Sequence, residues 1–61
     1  MTLEEAIAQL ISIHNQTQLV ANSEVYKVAI EIGHPNLTTD LNDVQHYLNS
    51  AITRLKELQD E

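Results

Sequence analysis

Leu3, Ile7, Leu10, His14, Thr17 and Ala21 follow one another at the three–four spacing of a single helix face. Ala6, Ile13 and Val20 make a second line, and Ile11, Val25 and Ile32, with Gln18 between them, make a third. Three such lines are more than one neighbouring helix covers. The start of the segment is written at Thr2, whose hydroxyl suits an N-cap with Glu5 in the reciprocal position, and Glu4 and Glu5 favour the positive end of the helix dipole. Asn22 and Ser23 are poor helix formers and offer a break with a fresh cap. From Lys27 to Ile32 the residues also alternate in the manner of a β-strand. Helical spacing of Val25, Val28, Ala29 and Ile32 and the lack of a long partner strand favour helix.

Gly33, His34, Pro35 and Asn36 punctuate the chain, glycine suiting a left-handed C-terminal cap and proline preventing continuation. A further helix then starts near Thr39 and Asp40 and carries a heptad seam of Leu41, Val44, Leu48, Ala51, Leu55 and Leu58, flanked by Tyr47 and Ile52. The pattern predicts an all-α fold in one domain. It is a helical hairpin with a helix over about residues 3–32, or a pair broken near 22–23, a loop over 33–39 and a helix over about 40–59. With those bounds the first helix outruns the second by about 15 Å. That surplus kinks away or packs on another subunit.

Composition sharpens the expectation of assembly. A chain of 61 residues lies near the lower limit for a self-sufficient core. This one has no cysteine, phenylalanine or tryptophan, and its only large aromatics are Tyr26 and Tyr47. The formal charge is -6, yet residues 6–23 contain no charged side chain. Their polar members, among them Gln9, His14, Asn15 and Gln16, fit hydrogen bonding between subunits better than the charged outer face of a surface helix. A homo-oligomer is the expected state. Acidity argues against binding double-stranded DNA or RNA, the polar interruptions argue against a membrane span, and no signal peptide is legible. The expected location is the cytoplasm.

Chemistry is sparse. His14, His34 and His46 lack the spacing of a metal site, so no metal or cofactor is expected. A single glycine, no nucleophile motif and acids explained by helix starts point to a non-enzymatic protein. The outer face of the last helix is the exception: Asn42, His46, Asn49 and Thr53 share it, and Tyr47 and Arg54 stand seven residues apart on one flank. A planar guanidinium and an aromatic hydroxyl suit a phosphate-bearing ligand. The candidate binding residues are His46, Tyr47 and Arg54, joined by Tyr26 and Lys27 from a neighbouring segment. The alternative is that Arg54 pairs with an exposed acid and Tyr47 belongs to the edge of the core.

The run Val44-Gln45-His46-Tyr47-Leu48-Asn49-Ser50-Ala51-Ile52-Thr53-Arg54-Leu55 resembles the last helix of small phage proteins that act as cyclic-nucleotide sponges against the CBASS defence system. The resemblance implies a short, all-helical, non-catalytic oligomer in the host cytoplasm. It would hold a cyclic di- or trinucleotide, or another small anion, between subunits and so starve a host effector. Among its residues, His46, Tyr47 and Arg54 fall where ligand contacts carry over. The competing expectation is a protein–protein module, an inhibitor, adaptor or assembly factor docking on a host protein without a small ligand.

Overall fold

Capping chemistry divides the chain into its elements. In the computed structural model, which describes residues 1–60, Thr2 Oγ1 accepts a hydrogen bond of 3.1 Å from the Glu5 amide and opens helix α1, Leu3–Ala21. The break expected at Asn22 and Ser23 is present, and Ser23 serves both sides of it. Its hydroxyl donates to the Val20 carbonyl at 2.7 Å and accepts from the Tyr26 amide at 3.2 Å, so one side chain satisfies an orphan carbonyl of α1 and an orphan amide of α2, Glu24–Glu31. Residues 24–31 are helical, and no strand occurs among the described residues.

Helix α2 stops in a Schellman arrangement: the His34 amide donates to the Ala29 carbonyl at 3.1 Å and the Gly33 amide to the Ile30 carbonyl at 3.3 Å. This closure needs the positive φ of 121° that Gly33 adopts. A Cβ there would meet nothing within 4 Å, so the penalty for any other residue is conformational alone. Gly33→Ala is expected to lower stability by about 1–3 kcal/mol, seen as a lower urea midpoint at unchanged m-value.

Helix α3, Asn36–Gln59, begins earlier than the expected start at Thr39 and Asp40, and the loop shrinks from 33–39 to residues 32–35. Proline is the reason. Read as a stop for the preceding helix, Pro35 also opens the next one: its φ of -65° and ψ of -20° are already helical, and its lack of an amide costs nothing at a helix start. The expected 15 Å surplus is therefore about halved, because α3 gains residues at its front and the first arm ends at Glu31.

α1 and α3 pack antiparallel. A hydrogen bond of 2.9 Å from Gln45 Nε2 to Gln18 Oε1 fixes their register. Counting outward from it, Ile7 lies within one residue of the level of Leu55, Leu10 of Ile52, His14 of Leu48 and Ala21 of Leu41. The extents are 47 × 15 × 14 Å. Since α3 alone spans only about 36 Å at 1.5 Å per residue, α1 and α2 lie roughly end to end, and the molecule is a rod.

Among the described residues only Ile7 and Ile52 are buried. Leu3, Leu10, Leu41, Leu48 and Leu55 are half-buried along the same contact, with Tyr26, Ala29, Ile30 and Leu37 closing the turn end. The heptad seam is thus rotated from its expected phase. Leu41, Leu48, Ala51 and Leu55 keep their places, but Ile52 and Gln45 turn inward while Val44 and Leu58 remain 44% and 56% exposed. Half-buried Gln45 finds a partner for its side-chain amide in Gln18. His14 and Thr17 sit half-buried in the same polar waist, with the Thr17 hydroxyl donating to the Ile13 carbonyl at 2.9 Å.

Candidate functional site

Residues 42–54 of α3 turn a polar surface away from α1, because the contact line is taken by Leu41, Gln45, Leu48, Ile52 and Leu55. Two shallow depressions lie on this outer surface. One is lined by His46, Tyr47, Ser50, Ala51, Arg54 and Leu55, the other by His46, Asn49, Ser50, Thr53, Arg54 and Glu57. Every lining residue belongs to α3. One helix is convex and cannot enclose a ligand, so neither depression is a complete site within a single chain.

The two differ in what they offer. Glu57 brings a carboxylate to the second, three residues from Arg54, which disfavours an anion there. The first has no acid in its lining. Its aromatic wall is ordered by the neighbouring rings of His46 and Tyr47, which meet edge to face at 5.5 Å between centroids and 65° between planes. Tyr47 is 70% exposed and so is not part of the core edge. No side-chain hydrogen bond engages Tyr47 or Arg54 among the described residues, so both keep their capacity for an external partner.

Of the five candidate residues, the fold brings His46, Tyr47 and Arg54 together and leaves Tyr26 and Lys27 apart. Tyr26 is half-buried on α2, packed toward the turn end, while Lys27 is exposed. By the Gln18–Gln45 register Lys27 lies roughly 17 Å along the rod from the level of Tyr47 and roughly 27 Å from that of Arg54. Within one chain they are different surfaces. Ser50 and Ala51, absent from the sequence-derived candidates, form the floor of the acid-free depression. Their small size at three and four residues from Tyr47 and Arg54 is the signal that marks them, since a larger side chain would fill the space.

Among the described residues no group of three or more His, Cys, Asp or Glu is placed to hold a metal ion. No described helix is long and apolar enough to cross a membrane. No family model, curated protein or solved structure matches the chain.

Proposed function

We propose that this chain is a non-catalytic, self-associating binding protein that sequesters a small anionic ligand, of the cyclic oligonucleotide class, at the boundary between subunits. The observation that carries the reading is the acid-free depression at Tyr47 and Arg54, which has aromatic, hydroxyl and guanidinium groups on one wall and no opposite wall in its own chain. A second subunit would complete the enclosure and would be the route by which Lys27 or a second Arg54 joins. Tyr47 offers a face on which a base stacks, and Arg54 a fork that grips phosphate through two parallel hydrogen bonds. The resemblance of residues 44–55 to the phage sponges supplies the ligand class and the role, antagonism of a host defence signal.

Calorimetry against a panel of cyclic di- and trinucleotides tests this. Binding of at least one is expected, and absence of heat with all of them at high protein concentration overturns the ligand assignment. Arg54→Ala is expected to weaken binding roughly 10- to 100-fold, the loss of charge-assisted hydrogen bonds worth about 1.5–3 kcal/mol, while leaving the native mass unchanged.

One observation favours a second reading. Val25 and Val28 of α2 and its C-cap residue Ile32 make an exposed apolar line at 80%, 49% and 72%, far from the Tyr47 group. A protein–protein module docking on a foreign helix or groove would use such a line. A monomeric native mass together with no small-ligand binding would favour it.

A further inference from the structure

The register of the hairpin brings two uncharged stretches level with each other. Residues 6–23 of the first arm and 44–53 of α3 contain no Asp, Glu, Lys or Arg, and with Gln18 opposite Gln45 the second stretch lies wholly alongside the first. The rod thus has a charge-free waist about 15 Å long. All described charges stand beyond it. The Met1 amine, Glu4, Glu5, Arg54, Lys56, Glu57 and Asp60 lie toward the open end, and Glu24, Lys27, Glu31, Asp40 and Asp43 toward the turn. Both ends are net acidic.

One side of this waist is apolar. Gln18 and Gln45 mark the opposite side by their hydrogen bond. At 100° per residue Ile13 and Val20 fall on the other flank of the α1 contact line from Gln18. The antiparallel run of α3 places Val44, Tyr47 and Ala51 on that same side. Ile13, Val20, Val44 and Tyr47 are 45%, 53%, 44% and 70% exposed, and Ala51 is half-buried. The described residues leave them uncovered to that extent.

We infer that a second copy of this chain docks on this waist face, crossing it so that the acidic ends diverge. The inference rests on the self-association proposed above and names the surface that performs it. Two features identify the occupant. The chain exposes 4711 Å², whereas a compact monomer of 6.9 kDa exposes about 4,000 Å². The excess, about 700 Å², is spread over the whole rod, and the waist face is the part of it that lies between the charged ends. Charge gives the geometry: two copies laid along their full length, in either direction, set acid against acid at both ends, while contact at the waist alone brings no like charges together. The pairing therefore tightens as salt is raised, since screening acts on the repulsion of the ends and leaves the uncharged contact intact.

A matched pair of variants tests the surface. Ile13→Glu and Ile11→Glu make the same change two residues apart on one helix, at similar exposure of 45% and 38%, but on opposite sides of the rod. By sedimentation or native mass spectrometry, Ile13→Glu is expected to weaken self-association about a hundredfold or more, because a carboxylate would be buried unpaired, and Ile11→Glu to leave it unchanged. If the wild type assembles and Ile11→Glu alone disrupts it, or neither does, the waist face is wrong and the self-association reading stands. If the wild type is monomeric at high concentration, both fall. Should Ile13→Glu fail to fold, the absence of native cysteine allows a second measurement. With a short bis-maleimide, Val44→Cys is expected to give a covalent dimer and Asn15→Cys, on the far side, is not; the reverse result overturns the proposal.

Discussion

Ile52→Ala is expected to leave the chain largely unfolded at room temperature. Ile52 is 8% exposed, and among the described residues only Ile7 is buried with it. Removing a buried isoleucine side chain to alanine costs about 2–5 kcal/mol, since the lost transfer energy is augmented by the cavity left behind. A core of this size supplies only about 3–5 kcal/mol in total. Relaxation into the cavity would not rescue it, because the register sets Leu10 and Ile7 against Ile52 and Leu55 as one small layer with no second layer behind it. Far-UV circular dichroism reads the loss directly. Leu19→Ala is the matching control: Leu19 is 71% exposed and points away from α3, so its substitution is expected to change stability by less than about 0.5 kcal/mol. Equal losses at the two positions would mean that the stability of the chain does not reside in the α1–α3 contact.

The same layer explains how far the fold was legible. Element identity was written locally. Thr2 and Ser23 cap where their hydroxyls reach an amide three residues on, and Gly33 ends α2 because only glycine is easy at its φ. These are short-range rules and survive without tertiary information. The start of α3 did not, since a proline between two helices both stops the first and opens the second, and the local pattern at Pro35 supports either use. The phase of α3 also escaped. Leu41, Leu48 and Leu55 are common to the expected seam and the observed one, and apolar residues lie on both sides of them, Val44, Ala51 and Leu58 on one and Ile52 on the other. The choice is made across the contact with α1, where Ile52 and Ile7 become buried and Gln45 meets Gln18, 27 residues away. No periodicity within α3 encodes that.

The candidate site divides along the same line. His46, Tyr47 and Arg54 were visible together because helical spacing alone places residues one, seven and eight apart on adjoining strips. Joining Tyr26 and Lys27 to them required the distance along the rod, which depends on where α1 breaks and how α3 is registered. The acid-free character of the Tyr47 depression was likewise hidden, for it comes from Glu57 lining one hollow and not its neighbour. The uncharged run at 6–23 was plain in the sequence. Its alignment with residues 44–53 was not, and that alignment turns a feature of one helix into a band around the molecule.

If the waist face is where copies meet, folding and association are one equilibrium, and the melting temperature depends on protein concentration. For a dimer unfolding to two chains, a hundredfold rise in concentration stabilises the folded form by about 2.7 kcal/mol per dimer. At about 0.7 kcal/mol of unfolding enthalpy per residue, two chains of 61 residues unfold with roughly 85 kcal/mol. The expected rise in Tm is then about 10 °C between the dilute and concentrated samples. A higher oligomer with cooperative assembly gives a comparable or steeper dependence. Concentration-independent melting, with the same Tm by circular dichroism in dilute solution and by calorimetry in concentrated solution, would mean that the hairpin stands alone on its two buried isoleucines. Salt separates the sources of the effect. Screening of the acidic ends raises Tm at every concentration, whereas the slope of Tm against the logarithm of concentration reports the number of chains released and is set by the uncharged contact at Ile13, Val20, Val44, Tyr47 and Ala51. Ile13→Glu is accordingly expected to flatten that slope, and Ile11→Glu to leave it as it is.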